Sequence, residues 1–166
     1  KIVKQGEDGS FWLDPKYFSF HHSTKHSYTN RFMELFGEPR AQEAPFFTQE
    51  SGYASYYGPR PHNYDELCAY NQHYADMAAS IQKVTEELIL KVVRHVHSLT
   101  GMSNLCLAGG VALNSVANAR ILQETPFESI YIQPSAGDGG AALGAAFYAW
   151  HCALGNTQRF VMDHAY

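Results

Sequence analysis

Two glycine turns are the residues of this sequence with the clearest capacity for chemistry. Each follows a short apolar run, Leu105–Ala108 or Ile130–Ile132, and each opens onto a segment with helical character. The turns themselves are Gly109–Gly110 and Gly137–Gly139. A helix N-terminus presents unpaired N–H groups, and glycine lets a phosphate approach the backbone. One such turn is usually an ordinary strand-to-helix connection, whereas two in tandem predict a nucleotide-binding α/β domain.

The candidate cofactor-binding residues all lie in these two turns or in the first helical turn after them. They are Gly109, Gly110, Val111, Asn114, Gly137 and Gly139. Asn114 has two interpretations, because its amide can reach a ligand held over the glycines or can bond to the N–H groups of its own helix. The local sequence does not decide between them.

Asp138 is the candidate catalytic residue and metal ligand. A carboxylate between two glycines, at the end of a strand, can hold a divalent cation or a metal-bound phosphate. The alternative is a helix N-cap, because Asp is among the preferred capping residues. Capping does not require glycine on both sides, so the metal-binding interpretation is favoured.

The first half of the chain is predicted from turn residues and hydrophobic periodicity. Lys1–Gln5 and Phe11–Leu13 flank an Asp-Gly turn and predict a β-hairpin. Tyr28–Phe36 predicts a helix that ends at Gly37. Residues Arg40–Asn71 are rich in proline and aromatic residues and predict a long loop. This loop either packs on the domain or on a missing neighbour, or serves as a lid or binding segment, and packing is the favoured interpretation.

The second half predicts the elements that position the glycine turns. Tyr74–Leu99 has the apolar spacing of a long helix, with Glu86 off its apolar stripe. A strand, a helix and a second strand follow, and this order predicts a parallel pair. The resulting expectation is one α/β domain over residues 1–166, with a mixed β-sheet, an N-terminal β-hairpin and flanking helices.

Composition narrows the class of protein. The sequence is 45% hydrophobic and 17% charged, which is typical of a globular domain. Its net charge of -4 argues against nucleic acid as a partner, and no apolar run reaches the roughly 20 residues that span a bilayer. The cysteines at 68, 106 and 152 are odd in number and far apart, which predicts reduced, buried thiols in a cytoplasmic protein.

A resemblance to a known family rests on two motifs, NLCLAGGVALNSVANARIL and IYIQPSAGDGGAALGAAFYAW. They resemble the O-carbamoyltransferases of antibiotic biosynthesis and nodulation-factor decoration. The resemblance implies an actin-like ATPase (ribonuclease-H-like) lobe, similar to the tRNA threonylcarbamoylation ATPases. It also implies ATP and carbamoyl phosphate as substrates, a carbamoyl-adenylate, and transfer of the carbamoyl group to a hydroxyl-bearing small molecule. The implied divalent metal is iron, with magnesium as the alternative, bound by two upstream histidines and by Asp138.

The chain matches only the second lobe of that family's large domain. His22 and His26 have the spacing of the family's metal-binding histidines but not their helical context, so they are interpreted as loop residues. We therefore expect a fragment that is inactive alone. Its expected partners are the remaining lobe, the C-terminal domain and a second copy of itself. The alternatives are a small-molecule kinase or another ATPase of the actin-like superfamily, and a non-catalytic interaction lobe.

Overall fold

The computed structural model describes residues 1–159 and shows a mixed α/β chain of short strands and helices. The chain falls into two compact units. The N-terminal unit comprises Lys1–Gly6 and Ser10–Thr85, and the C-terminal unit comprises Glu7–Gly9 and the chain from Glu86 onward. One long helix contributes residues to both units. The expectation of a single domain over residues 1–166 is not tested by this division and stays a prediction.

The N-terminal hairpin forms as predicted. Strand β1 (Val3–Gln5) pairs antiparallel with strand β2 (Phe11–Leu13). The Gly6 N–H donates to the Ser10 carbonyl at 2.7 Å, and Gly9 has a φ of +78°, which favours glycine. The Asp-Gly turn signal therefore identified both the strands and the connection between them.

The aromatic segment after the first helix is shorter than predicted. Helix α1 (Asn30–Phe36) ends at Gly37 as expected, but the next helix, α2 (Tyr64–Thr100), begins at Tyr64 rather than at Tyr74. Its earlier start is favoured by two acidic residues in the first turn and by packing of Tyr64. The Tyr64 ring stacks on the buried Phe47 at 5.3 Å between centroids, so the packing interpretation of the loop is confirmed.

The C-terminal unit is built around a parallel pair of strands. Strand β3 (Asn104–Leu107) pairs with β4 (Ser129–Ile132), and helix α3 (Ser115–Glu124) connects them, as predicted. Helix α4 (Gly140–Tyr148) follows β4 and continues into a π-helical turn at Ala149–Ala153. The buried core of this unit is formed by Leu90, Val93, Leu105, Ile121 and Phe127.

The predictions of one mixed sheet and of three buried thiols are both wrong. The described residues form two separate two-stranded sheets rather than one mixed sheet. Pro15 follows β2 almost directly and lacks an N–H group that could extend a ladder. Burial was predicted for all three thiols, but Cys106 and Cys152 are exposed, and only Cys68 is buried. Cys106 is exposed because side chains alternate along β3, and its neighbour Leu105 occupies the core face.

A partly buried ion-pair network attaches α3 to α2. Arg120 Nη1 lies 2.7 Å from Glu86 Oε2, and Arg120 Nε lies 2.6 Å from Glu124 Oε1. Glu86 is only 8% exposed, so its predicted place off the buried side of α2 is wrong. The carboxylate is accommodated because the guanidinium pairs with it. The hydrogen bonds that Arg120 donates to Glu124 and then to Glu86 raise the pKa of Arg120, and the same bond to Glu124 lowers the pKa of Glu124.

None of the helices within residues 1–159 is long and apolar enough to cross a membrane.

The short strands and the helices confirm the α/β class for the described part of the chain, with small sheets flanked by helices. Its assignment as a lobe of the actin-like ATPase fold stays a prediction.

Candidate functional site

The two glycine turns lie side by side in the C-terminal unit. We call residues 108–114 the first corner and residues 133–140 the second corner. The Gly109 N–H donates to the Ala136 carbonyl at 2.8 Å, and the Gln133 N–H donates to the Leu107 carbonyl at 3.2 Å. Because β3 and β4 run parallel, both corners stand at the carboxyl ends of the strands. The N–H groups and side chains of both corners are therefore brought to one edge of the sheet.

The first corner does not open directly onto the helical segment that the sequence predicts after Gly109–Gly110. A 3-10 turn (Gly110–Leu113) comes first, and α3 begins only at Ser115. The helix cannot start earlier because Asn114 has extended backbone angles. Gly109 has a φ of +95°, in the left-handed region, so the backbone itself requires glycine at this position.

Asn114 caps its own helix. Its Oδ1 atom accepts a hydrogen bond from the Ala117 N–H at 3.1 Å, which satisfies one of the first-turn donors of α3. Asn118 Nδ2 donates to the Ala112 carbonyl at 2.7 Å and also supports the corner. Of the two interpretations of Asn114, the structure favours capping. Nucleotide contacts by Asn114 and by Val111, whose side chain is exposed, stay predictions.

The glycines of the second corner have different structural reasons. A Cβ at Gly140 would overlap the Ser135 carbonyl oxygen, and a Cβ at Gly139 would lie 2.9 Å from Ser135 Oγ. The backbone of the turn therefore excludes a larger residue at Gly140, whereas one at Gly139 would require the Ser135 hydroxyl to move. A Cβ at Gly137 would meet only Leu113 Cδ1, at 3.9 Å, and one at Gly110 would meet no atom within 4 Å among the residues described. Local packing thus gives no reason for glycine at 110 and 137. The open space beside these two residues leaves room for a ligand.

Asp138 is exposed and does not cap α4. The N-cap position belongs to Gly139, and no side chain bonds to that helix end. The capping interpretation of Asp138 is therefore wrong. Across residues 1–159 the Asp138 side chain has no hydrogen-bond or ion-pair partner. Its carboxylate is available to a ligand, and its catalytic and metal-binding roles stay predictions.

The described residues do not complete a metal centre. Across residues 1–159, no group of three or more histidine, cysteine, aspartate or glutamate side chains is close enough to hold one ion. Catalytic metal sites typically use several protein ligands. Asp138 thus fits the implied metal as one ligand, and the described residues do not supply a set of three.

Gln133 is a residue of the second corner that the sequence reasoning missed. Its Oε1 atom is buried and has no hydrogen-bond partner within residues 1–159. A buried acceptor without a donor costs roughly 1–3 kcal/mol, so such groups call for an explanation. The one available signal was a polar residue directly after the apolar strand β4. Within the described part of the chain, two oxygen acceptors of the second corner thus lack partners, Gln133 Oε1 and the Asp138 carboxylate.

Much of the apolar surface near the corners is uncovered. Leu113, Val116 and Leu122 have the helical spacing of one apolar face with the buried Ala117 and Ile121, but all three are exposed. Only Ala117 and Ile121 of that face are buried, because the small core of this unit reaches only the middle of the helix. The uncovered residues leave surface for a further lobe or a second copy, and both partners stay predictions.

Comparison with known proteins identifies the family. A family model described as carbamoyltransferase N-terminus matches residues 1–147. An uncharacterized protein of Synechocystis sp. is 42% identical over 153 residues, which are 91% of this chain and 21% of that protein. Nodulation protein NolO of Bradyrhizobium diazoefficiens is 44% identical over 77 residues, which are 46% of this chain and 14% of that protein.

Nodulation protein U of Sinorhizobium fredii is 35% identical over 74 residues, which are 43% of this chain and 13% of that protein. The alignments thus span 21% of the Synechocystis relative and smaller shares of the two nodulation proteins. The family model covers most of the chain, including both glycine corners and Asp138. This chain therefore belongs to the carbamoyltransferase family, within the region that the model describes as its N-terminus.

Proposed function

We propose that this chain is the second lobe of the large domain of an ATP-dependent O-carbamoyltransferase, with an actin-like ATPase fold. Membership of the carbamoyltransferase family supports the proposal that the transferred group is a carbamoyl group. The hydrogen bond between Gly109 and Ala136 is the observation that carries the proposal. It brings the N–H groups of both corners and the exposed Asp138 carboxylate to one edge of the parallel pair.

The proposed transfer step starts from a carbamoyl-adenylate, which forms from ATP, carbamoyl phosphate and water with release of pyrophosphate and inorganic phosphate. The acceptor hydroxyl oxygen forms a bond to the carbamoyl carbon, and the bond from that carbon to the AMP phosphate oxygen breaks. AMP leaves with the electron pair of that bond, and the hydroxyl proton is released to a base. The developing negative charge lies on the phosphate of AMP, so donors and cations near that phosphate accelerate the step.

The corners are suited to bind this phosphate. Backbone N–H groups at a strand-to-helix turn attract anions, and the open space beside Gly110 and Gly137 admits one close to the main chain. Asp138 would provide one oxygen ligand to the implied divalent ion, iron or magnesium, which supplies positive charge when bound. The second lobe thus orients the leaving group, and the rest of the site is expected on the remaining lobe.

The test uses the full-length protein that contains this chain. Carbamoylated products are measured with ATP, carbamoyl phosphate and a panel of hydroxyl-bearing acceptors. Asp138→Asn should lower the transfer rate by at least about 100-fold, because loss of a metal ligand removes several kcal/mol of transition-state stabilisation. Glu128→Gln is the matched control, since it removes one exposed carboxylate of the same unit just before β4. Equal rates for Asp138→Asn and the wild type would reject the role of Asp138.

The product separates this proposal from the alternatives. A phosphorylated acceptor would indicate a small-molecule kinase or another ATPase of the actin-like superfamily. If calorimetry shows that the full-length protein does not bind nucleotide, a non-catalytic interaction lobe becomes the better explanation. Nucleotide binding together with a carbamoylated product supports the proposal.

A further inference from the structure

A closed loop in the N-terminal unit presents three histidines to solvent. A bridge between Phe18 and Tyr28 closes its base, and the Ser19 N–H donates to the Ser27 carbonyl at 3.1 Å. The buried Ser19 also donates its hydroxyl to the His26 carbonyl at 2.6 Å. The loop is therefore held at its base by hydrogen bonds.

Two neighbouring histidines of this loop face each other. His21 Nε2 lies 3.0 Å from His22 Nδ1, and the ring planes are at 78°. The backbone of this turn is held because the His22 and Ser23 N–H groups both donate to the Ser19 carbonyl. The His21 ring also contacts Phe20 edge-on, with 5.9 Å between the centroids. The two imidazoles are thus positioned by the loop and exposed to solvent.

The distance between the two hydrogen-bonded nitrogens matches one coordination geometry without further movement of the rings. Metal–imidazole bonds are about 2.0–2.1 Å long. With such bonds, nitrogens 3.0 Å apart subtend an angle of about 90° at the metal. Adjacent positions of a square-planar or octahedral ion require this angle, whereas a tetrahedral zinc site requires a separation of about 3.4 Å. Tetragonal sites with nitrogen and oxygen ligands are typical of copper(II) and nickel(II).

We propose that His21 and His22 together bind a tetragonal divalent ion, copper(II) or nickel(II). Without metal, one ring donates its N–H to the other ring. For both nitrogens to bind, the donating ring moves that proton to its other ring nitrogen, so no net proton is released from the neutral pair. The remaining coordination positions go to water, because no third histidine, cysteine or carboxylate within residues 1–159 joins the pair. This site lies in a different unit from Asp138 and does not rest on the proposed function.

The test measures copper(II) and nickel(II) binding by the full-length protein. Calorimetry gives the affinity, and electron paramagnetic resonance of bound copper counts the coordinating nitrogens. Loss of even an indirect partner of a metal ligand typically weakens binding roughly 10–100-fold. His21→Ala and His22→Ala should therefore each weaken binding at this site by at least about tenfold and remove one imidazole from the copper spectrum.

Two control variants keep the pair intact. His62 is an exposed histidine of the same unit, and His26 lies on the same loop, so His62→Ala and His26→Ala should keep the wild-type affinity and spectrum. His21→Gln and His22→Gln repeat the test with larger polar side chains, and circular dichroism checks that each variant is folded. Unchanged affinity in the His21 and His22 variants would overturn the proposal. An equal loss in His26→Ala, or tighter binding of zinc(II) than of nickel(II), would also overturn it.

Discussion

The two glycine corners follow the same strand-to-helix pattern but use their polar side chains differently. In the first corner, Asn114 caps α3 and Asn118 holds the Ala112 carbonyl, so both amides bond to their own backbone. In the second corner, the Asp138 carboxylate has no such partner among the described residues, and α4 begins without a side-chain cap. A polar side chain beside a glycine turn therefore keeps its full hydrogen-bonding capacity for a ligand only when its own helix does not bind it.

The helices that follow the two corners also differ in how many of their residues are buried and in how they are attached to the unit. Helix α3 buries Ala117 and Ile121 and is attached to α2 through Arg120, whereas α4 has no buried residue. Local stability is therefore concentrated at the first corner. The second corner keeps its acceptors open to a ligand, and variants beyond α4 should cost less stability than variants in the buried face of α3.

The largest difference in the free energy of unfolding should separate a buried residue of α3 from an exposed residue beyond α4. Ile121 is 0% exposed, so Ile121→Ala leaves a cavity and should lower the free energy of unfolding by about 2–5 kcal/mol. Leu154, after the π-helical turn that continues α4, is 69% exposed, and Leu154→Ala should change this free energy by less than about 0.5 kcal/mol. Urea denaturation measures both. Similar losses for the two variants would contradict the described packing difference.

The second-largest difference should appear between two glycines of one corner. Gly140→Ala places a methyl group onto the Ser135 carbonyl oxygen and should cost about 1–3 kcal/mol of unfolding free energy. Gly137→Ala meets only Leu113 and should cost less than about 0.5 kcal/mol. Under the proposed function, Gly137→Ala should nevertheless weaken nucleotide binding by the full-length protein, as measured by calorimetry. If both alanines are equally well tolerated, the packing at Ser135 is not the reason for Gly140.

A smaller difference should separate the two polar side chains. Asn114→Ala removes the cap of α3 and should lower the free energy of unfolding by about 1 kcal/mol. Asp138→Ala removes no bond within the described chain and should change it by less than about 0.5 kcal/mol. The two variants are compared by urea denaturation under identical conditions. A destabilising Asp138→Ala would show that the carboxylate supports the fold.

The smallest effect should be a pH dependence confined to α3. Arg120 lowers the pKa of Glu124 in the folded chain, so the pair contributes stability above the usual glutamate pKa of about 4.3. This contribution is lost as the pH falls through the lower folded pKa. The melting temperature of the wild type should therefore fall more steeply below about pH 4.3 than that of Glu124→Gln. Parallel curves would show that the pair does not contribute to stability.

Elements with local signals were predictable from the sequence. The Asp-Gly turn identified the hairpin, and the alternation of apolar strands with glycine turns identified the parallel pair. The start of α2 was not predictable in this way, because Tyr64 belongs to the helix through packing on Phe47, a residue distant in sequence. The buried position of Glu86 likewise depends on Arg120, which a local pattern cannot reveal.

The candidate site was predictable in position but not in the use of each residue. Both corners and Asp138 were located by the sequence, since glycine spacing after a strand is a local property. The capping bond of Asn114 needed coordinates, because the sequence allowed two geometries. The unpartnered acceptor of Gln133 also needed coordinates, because burial of its Oε1 atom without a donor in residues 1–159 depends on the folded turn.

Because two of its three cysteines are exposed, the chain already contains positions for thiol-reactive labels. Cys106 on β3 and Cys152 after α4 are accessible to thiol-reactive spin labels, while the buried Cys68 should stay unmodified. One label would therefore sit on the strand that leads into the first corner, and the other beyond the helix that follows the second. The separation between two such labels can report, in solution, whether α4 shifts relative to the parallel pair when nucleotide is added.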